Sequence, residues 1–344
     1  MKITVQHKGG ELSFDCGERE PILYAGLRQG VNLPFECATG TCGTCRARVT
    51  SGEVEVRWNE APGAARLKPE KGDISMCQSW PRSDTAVRVP SDLTTTDTFR
   101  PESRRGIIRN IRRLTNDVAQ FDLQLSGPMR FQPGQFVVLE SPDVAGGRAY
   151  SMVNFEPELD RLALVLKRKP GGRFTDWFFD KIAGEREVEV FCPLGRAVFR
   201  PEERLNIICI AGGSGIAGMM SILECAIQTN HFSAHKGVVF FGCRTLADTF
   251  YLEQLANYAA ASQGNLEITV ALSHEAAATP LHGDFPTLRV AQGMVHEVAA
   301  KGLGQNDRSL LAYVAGPPIM VDSTIRALIA GGLAVRDIRY DKFA

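Results

Sequence analysis

Four cysteines in this chain have a spacing that suits redox chemistry. Cys37, Cys42 and Cys45 follow a C-x4-C-x2-C pattern, and Cys77 comes 32 residues after the last of them. This is the plant-type spacing for a [2Fe–2S] cluster, in which cysteine thiolates supply all four ligands. The sequence therefore predicts a one-electron centre at these positions.

The loop between the cysteines has glycines where a cluster needs them. Gly40 and Gly43 permit positive φ, so backbone N–H groups can turn toward the sulfur atoms. The alternative is structural zinc, but zinc sites usually have two C-x2-C-like pairs and only one such pair is present. The cluster is the favoured interpretation, and it requires an electron source and an acceptor.

Composition limits the class of protein. The chain has 344 residues, 44% of them hydrophobic and 23% charged, which predicts two or three globular domains. It has neither an apolar run of about 18 residues nor a signal-peptide layout at the N-terminus, so we expect a cytoplasmic protein without a membrane partner. The formal net charge of zero argues against nucleic acid as a partner.

Five further cysteines lack ligand spacing. They stand in apolar or strand-like contexts at Cys16, Cys192, Cys209, Cys225 and Cys243. Such contexts favour reduced thiols in a protein core.

Residues 1–92 are predicted to form the first domain. Lys2–Gln6 and Leu12–Asp15 alternate around a Gly-Gly turn and predict a hairpin, and Ile22–Gln29 predicts a short helix. Arg46–Thr50 predicts a strand directly after the cysteine loop. Together with the cysteine pattern, these elements resemble a plant-type ferredoxin domain of the β-grasp fold.

Two segments of different composition follow. Residues 93–103 are polar and rich in threonine, which predicts an interdomain linker. Residues 104–202 contain many short apolar runs separated by turn residues, which favours a small antiparallel β-barrel.

Residues 203–344 alternate strand and helix signals. Apolar strands are predicted at Asn206–Ala211, Gly237–Phe241, Leu266–Leu272 and Leu310–Ala315, with a Gly-rich turn and a helix after the first. This alternation predicts a parallel sheet with helices on both faces. Phosphates would approach the strand ends, where the glycines Gly212, Gly213, Gly215, Gly242 and Gly316 fall.

The barrel segment resembles the ferredoxin–NADP⁺ reductase superfamily, which binds flavin through an R-x-Y-S motif and a later Gly-rich helix start. Arg148, Tyr150 and Ser151 match the motif. An arginine fork suits a pyrophosphate, a tyrosine ring suits the isoalloxazine face, and a serine hydroxyl can reach a flavin nitrogen. Gly172 and Thr175 match the helix start, where phosphate is favoured.

The last segment resembles the nicotinamide-binding half of the same superfamily, with its GGxGxxP loop and CGPxxM segment. The resemblance implies that NADH contacts Gly212, Gly213, Ser214, Gly215, Gly242, Arg244, Asp248, Gly316 and Pro317. Two positions depart from the pattern, since Gly218 replaces the usual proline and Ala315 the usual cysteine. The second departure predicts less efficient hydride transfer but intact binding.

The whole chain resembles reductase components of bacterial soluble di-iron monooxygenases, down to Phe343 at the position of a C-terminal aromatic near FAD. The resemblance implies three folds: a β-grasp [2Fe–2S] ferredoxin, an antiparallel β-barrel for FAD and a Rossmann-like parallel sheet for NADH. The predicted fold class is therefore a multidomain chain with α+β and α/β parts. It also implies electron transfer from NADH through FAD and the cluster to an oxygenase (hydroxylase) component or a Rieske or ferredoxin intermediary.

Two alternatives remain open at this point. The first is the reductase of a Rieske ring-hydroxylating dioxygenase, which can share this domain order and these cofactors. The second is a redox sensor or scaffold that binds the cofactors without turnover. Intact motifs in all three predicted domains argue against the second.

Overall fold

The computed structural model describes residues 1–180, 184–275, 285–302 and 310–343. The chain divides into two compact units. The first unit comprises Met1–Arg105, Val137–Ala149 and Glu187–Leu194; the second comprises Gly106–Phe136, Tyr150–Arg186 and Gly195–Ala344. The domain boundaries predicted at residues 92, 103 and 202 stay predictions.

The strands, in chain order, are β1 (Lys2–His7), β2 (Gly10–Asp15), β3 (Arg46–Ser51), β4 (Val54–Val56), β5 (Asp73–Ser75), β6 (Ser79–Pro81), β7 (Thr85–Arg88), β8 (Glu102–Arg113), β9 (Val118–Met129), β10 (Phe136–Ser141), β11 (Val144–Ser151), β12 (Leu159–Lys167), β13 (Arg186–Leu194), β14 (Asn206–Gly212), β15 (Gly237–Cys243), β16 (Leu266–Leu272), β17 (Leu288–Gln292), β18 (Leu310–Gly316) and β19 (Ile338–Lys342).

The α-helices are α1 (Ile22–Arg28), α2 (Arg173–Asp180), α3 (Ile216–Gln228), α4 (Leu252–Ala261), α5 (Val295–Gly302) and α6 (Pro318–Ala330). Within the described ranges, none of them combines the length and the apolar character needed to cross a membrane.

The first unit contains a five-stranded sheet in the order β2-β1-β7-β3-β5. The β1–β2 pairing is antiparallel, which confirms the predicted hairpin, and β1 pairs with β7 in parallel. Helix α1 buries Ile22, Leu23 and Leu27, as its apolar spacing requires. The short strands β5 and β6, on either side of Cys77, were not predicted, because three residues give too short a pattern.

The strands of the barrel region fall in both units. In the first unit the neighbours are β11, β10 and β13, in that order. In the second unit β9 pairs antiparallel with both β8 and β12. The antiparallel pairing agrees with the sequence prediction for this region.

The second unit also contains a six-stranded sheet in the order β17-β16-β15-β14-β18-β19. Every pair in it is parallel, as predicted. One face carries a core that includes Leu223 of α3 and Leu255 of α4, and the other a core that includes Val295 of α5 and Leu328 of α6. Helices therefore cover both faces. Because the strands are parallel, their carboxyl ends lie at one edge of the sheet.

The segment predicted as a linker is bonded to the stretch before the cysteine loop. The Asn32 backbone N–H donates to the Thr94 carbonyl at 2.9 Å, and the Thr96 N–H donates to the Gly30 carbonyl at 2.8 Å. Leu93 is buried. The polar composition predicted a connection without such contacts. The backbone N–H and C=O groups of a threonine form hydrogen bonds as readily as those of any other residue, so composition did not reveal these bonds.

Candidate functional site

The four predicted cluster cysteines lie together as two pairs. The Sγ atoms of Cys37 and Cys42 are 3.2 Å apart, and those of Cys45 and Cys77 are also 3.2 Å apart. Among the described residues, no group of three or more His, Cys, Asp or Glu side chains is arranged around a single metal position. Two thiol pairs suit a cluster of two irons, with one pair for each iron.

Backbone N–H groups point at the sulfur atoms of the loop. The N–H groups of Thr39 and Cys42 each donate to the Cys37 sulfur at 3.4 Å, and the Thr44 N–H donates to the Cys42 sulfur at 3.4 Å. Gly40 and Gly43 have φ of 85° and 75°, which turns the chain around the sulfurs as predicted. Such donors stabilise negative charge on thiolate ligands.

The thiol pKa values follow the same pairing. The hydrogen bond between the Cys37 and Cys42 side chains lowers the pKa of Cys37 to about 4, and the bond between the Cys45 and Cys77 side chains lowers the pKa of Cys45. One sulfur of each pair therefore favours the thiolate form, which is the form that binds iron.

The other five cysteines behave as core thiols. Burial raises the pKa of Cys16, Cys192, Cys209 and Cys243 to about 12 and that of Cys225 to about 11. They stay protonated at neutral pH, and each is a free cysteine. They provide matched controls for the four cluster positions.

Arg148 of the R-x-Y-S motif lies in the first unit, on β11. Its guanidinium carbon is 5.4 Å from the centre of the Trp58 ring, and its Nη1 donates to the Gly147 carbonyl at 2.8 Å. Arginine over an aromatic face is a favourable cation–π arrangement. The sequence did not predict the partnership with Trp58, because the two residues are 90 positions apart.

Tyr150 and Ser151 of the same strand lie in the second unit. The Tyr150 ring packs edge-on to Phe121, at 6.3 Å between centroids, and lies 5.9 Å from the Phe174 ring of α2. Ser151 is buried and faces α3, where a Cβ on Gly218 would be 3.4 Å from its side chain. A fixed aromatic ring and a buried hydroxyl suit the flat, polar-edged isoalloxazine.

Gly172 and Thr175 lie at the start of α2, as predicted. The Thr175 hydroxyl donates to the carbonyls of Gly172 and Lys169, at 3.0 and 3.1 Å, and accepts from the Lys169 N–H at 3.2 Å. These hydrogen bonds of the Thr175 hydroxyl stabilise the turn before α2. The phosphate position at the start of α2 stays a prediction.

Phe343 lies between the barrel residues and the nucleotide sheet of the second unit. Its ring is edge-on to Phe136 at 6.1 Å, and its N–H donates to the Gly316 carbonyl at 3.1 Å. Nearby, the Ser221 hydroxyl accepts from the Gly134 N–H and donates to the Gly218 carbonyl, both at 2.9 Å. Ser221 and Gly134 were missed by the sequence reasoning, since neither belongs to a motif.

The glycines predicted to bind the nucleotide have different surroundings. Gly212, Gly213, Ser214 and Gly215 form the tight turn between β14 and α3, and a Cβ on Gly215 would be 2.3 Å from the Ala315 carbonyl oxygen. Gly316 ends β18, followed by Pro317 at the start of α6. The structure thus brings the two Gly-containing loops together at the carboxyl edge of the sheet.

Gly242 has a packing role that the sequence did not reveal. A Cβ there would be 2.7 Å from the Val295 side chain of α5. The absence of a side chain lets α5 approach β15 closely, so this glycine serves helix packing.

Asp248 is held by its neighbours just beyond β15. Its Oδ2 accepts from the Thr245 N–H at 3.1 Å, and the Thr245 side chain accepts from the Asp248 N–H, so the two residues form a capping box. Its Oδ2 also accepts from the Thr245 hydroxyl at 3.0 Å, and its Oδ1 accepts from Arg244 at 2.9 Å. Burial opposes ionisation of Asp248, but the bonds from Arg244 and Thr245 outweigh it and lower its pKa. Asp117 lies 3.7 Å from the same guanidinium.

A further carboxylate stands beside this turn. Glu275 Oε2 accepts from the Leu246 N–H at 2.5 Å. Glu275 follows β16, so it comes from the neighbouring strand, and the sequence reasoning missed it. The region beyond β15 therefore contains the carboxylates of Asp117, Asp248 and Glu275. It also contains two cations, Arg244 and Lys167, and the Lys167 Nζ lies 3.3 Å from Asp117.

Comparisons with known proteins match each part of the chain. A 2Fe-2S iron-sulfur cluster binding domain matches residues 5–82, an oxidoreductase FAD-binding domain residues 106–199, and an oxidoreductase NAD-binding domain residues 209–326. The FAD-binding match covers strands of both compact units.

Similar proteins extend over the whole length. The ferredoxin–NAD(P)⁺ reductase CarAd of Metapseudomonas resinovorans is 30% identical over 97% of this chain and 98% of its own length. The chain belongs to the ferredoxin–NAD(P)⁺ reductase components of oxygenase systems. The reductase is also 37% identical to the ferredoxin–NAD⁺ reductase component of the alkene monooxygenase system of Xanthobacter autotrophicus, over 72% of this chain and 75% of that protein.

A solved structure agrees with this membership. The ferredoxin reductase in carbazole 1,9a-dioxygenase superposes with a TM-score of 0.82 at 27% identity and covers 100% of the reductase and 99% of that chain. The predicted fold class and the three cofactors, a [2Fe–2S] cluster, FAD and NADH, are thereby confirmed at the level of the domains.

The two departures of the reductase from the family pattern have local explanations. A side chain at Gly218 would make ordinary contact with Ser151, at 3.4 Å, so the position is close to the barrel without being blocked. Ala315 is buried in β18, and its carbonyl packs against Gly215. A small residue at 315 is thus compatible with the close approach of the two loops.

Proposed function

We propose that the reductase transfers electrons from NADH through FAD and the [2Fe–2S] cluster to the oxygenase component of a multicomponent hydrocarbon or aromatic monooxygenase in the cytoplasm. The two thiol pairs, in one chain with a flavin motif and a nucleotide sheet, support this proposal most directly. The identity to the alkene monooxygenase reductase component favours a monooxygenase.

The residues divide the work by cofactor. Cys37, Cys42, Cys45 and Cys77 would hold the cluster. The flavin motif would hold FAD through Arg148, Tyr150, Ser151, Gly172, Thr175 and Phe343, and NADH would bind at Gly212–Gly215, Gly242, Arg244, Asp248, Gly316 and Pro317. When bound, nicotinamide supplies a hydride, flavin exchanges electrons in pairs or singly, and the cluster carries single electrons. The protein groups position and tune these cofactors and need not act as acids or bases.

A dioxygenase is the second candidate acceptor. Two observations favour it. The sequence similarity to CarAd extends over nearly the whole length of both chains, and the structure superposes on the ferredoxin reductase in carbazole 1,9a-dioxygenase. Both candidates use the same cofactors, so the difference lies in the partner that receives the electrons.

Reconstitution with partners tests the proposal. The reductase would be mixed with purified monooxygenase or dioxygenase components from its source, and NADH oxidation would be followed together with product formation. We expect product only with a monooxygenase component, at a ratio of product to NADH near one. Product with a dioxygenase component alone would establish the second candidate, and failure to reduce cytochrome c with NADH would refute both.

The flavin is expected to be FAD. We assign a pyrophosphate position to Gly172–Thr175. FAD has a pyrophosphate, whereas FMN has a single phosphate and no adenosine and would leave part of this position empty. Heat release followed by chromatography identifies the flavin, and reconstitution of the apoprotein with each flavin serves as the control. FMN as the main released species would contradict this expectation.

NADH is expected to be preferred over NADPH by about tenfold or more in kcat/KM, equal to about 1.4 kcal/mol. A 2′-phosphate needs free cationic donors, but Arg244 is already paired with Asp248, and Lys167 is paired with Asp117. Glu275 adds a negative charge beside the same turn.

Steady-state kinetics with both nucleotides check this preference. Glu275→Gln keeps an acceptor for the Leu246 N–H and removes one charge, so it should raise kcat/KM for NADPH and leave that for NADH nearly unchanged. Glu253→Gln, which removes one exposed carboxylate from α4 of the same unit, is the matched control. A native ratio at or above one in favour of NADPH would show that the turn after β15 does not exclude the phosphate.

A further inference from the structure

The segment Ala61–Arg66 packs directly on the cysteine loop of the first unit. The Gly63 N–H donates to the Gly40 carbonyl at 2.9 Å. A Cβ on Gly63 would be 2.7 Å from both the Gly40 carbonyl oxygen and the Gly43 nitrogen. Backbone therefore meets backbone, and only glycine permits this approach.

Arg66 ends this segment and reaches a cluster ligand. Its Nη1 donates to the Cys42 carbonyl at 2.7 Å, and its Cδ is 3.2 Å from where a Cβ on Gly43 would lie. The Arg66 side chain thus extends along the loop between two predicted ligands. No function described above uses this contact.

Burial distinguishes Cys42 from the other three ligands. Cys37, Cys45 and Cys77 are 3%, 1% and 1% exposed, whereas Cys42 is only partly buried. Arg66 itself is exposed, and in the described ranges no carboxylate lies within ion-pair distance of its guanidinium. Its positive charge therefore stands at the solvent side of the loop without a nearby carboxylate to neutralise it.

Reduction adds one negative charge to an iron–sulfur cluster, so nearby positive charge favours the reduced form. A charge-assisted hydrogen bond also fixes the peptide to which it donates. We propose that Arg66 is a positioning residue that fixes the Cys42 peptide and raises the reduction potential of the cluster. The proposal rests on the cluster assignment in the proposed function and adds a residue outside the four-cysteine pattern.

Potentiometric titration followed by the electron paramagnetic resonance of the reduced cluster tests this role. The proteins compared are the native reductase, Arg66→Gln, Arg66→Lys and Lys71→Gln. Lys71→Gln is the matched control, because it removes one exposed positive charge from the same stretch of chain and forms no described bond to the cysteine loop. Iron and sulfide are measured in each protein, so loss of the cluster is distinguished from a change in its potential.

We expect Arg66→Gln to shift the one-electron equilibrium toward the oxidised cluster by up to about tenfold, which corresponds to about 59 mV. Arg66→Lys keeps the charge and should retain most of the native potential, and Lys71→Gln should match the native protein. Because Arg66 is exposed, the difference between native protein and Arg66→Gln should shrink at high salt.

An unchanged potential in Arg66→Gln with full iron content, or an equal shift in Lys71→Gln, would overturn the proposal and leave the cluster assignment intact. Absence of a cluster from the native protein would refute both the proposal and the cluster assignment. If Arg66→Gln does not retain iron, Arg66→Met gives the same comparison. Loss of iron from both neutral variants with retention in Arg66→Lys would support the role of the charge, and loss from all three would refute it.

Discussion

Replacing Cys77 with serine is expected to remove the cluster and to abolish electron transfer to cytochrome c. Cys77 is 1% exposed and its sulfur lies 3.2 Å from that of Cys45, so the substitution takes one of two sulfurs from an iron position. Loss of an outer contact already costs metal sites about 10- to 100-fold in affinity, and loss of a ligand should cost at least as much. Iron and sulfide analysis and the visible spectrum measure the result.

Cys225→Ser is the matched control for this substitution. Cys225 is also buried, but burial raises the pKa of its thiol to about 11, and it lies on α3 of the second unit. Cys225→Ser should keep iron, sulfide and cytochrome c reduction. Ferricyanide reduction, which needs only flavin, should persist in both variants. Normal iron and sulfide in Cys77→Ser would refute the ligand assignment.

Spacing was sufficient to predict the cluster cysteines, because three of the four lie within one short loop and the fourth matches a known interval. It was not sufficient to predict the residues that hold the loop. Gly63 and Arg66 contact Gly40 and Cys42 only after the chain has turned back on itself. A local pattern cannot show such a contact, since it depends on the path of the intervening strands.

The nucleotide sheet shows a similar limit. Three of the four central strands, β14, β15 and β18, have continuous apolar runs, as strands buried on both faces require. The fourth, β16, carries Glu267 and Thr269 between its apolar residues, and all four strands were predicted. The edge strands β17 and β19 are partly exposed and were missed, because their residues alternate without a strong apolar run. Asp248 could be assigned from sequence either to capping or to the ribose, and the structure shows the capping bonds.

Gly215→Ala is expected to lower kcat/KM for NADH by about 100-fold, because displacement of a binding loop by about 1 Å has an effect of this size. A Cβ at this position would lie 2.3 Å from the Ala315 carbonyl oxygen and 2.6 Å from the carbonyl carbon. These are backbone atoms of β18 and cannot rotate away, so the turn after β14 must move. Overpacking of this kind usually costs about 1–3 kcal/mol, which thermal unfolding would detect.

Gly218→Ala, three residues further along the same chain segment, separates a local clash from a general effect of added methyl groups. Its new Cβ would be 3.4 Å from Ser151, an ordinary contact, and alanine in a helix is favoured over glycine by about 1 kcal/mol. We expect Gly218→Ala to keep the native melting temperature or exceed it and to retain kcat/KM for NADH within about threefold. Equal losses of kcat/KM for NADH in both variants would mean that the close approach of Gly215 to β18 does not position the nucleotide. A loss confined to Gly215→Ala would assign that positioning to the contact between the two loops.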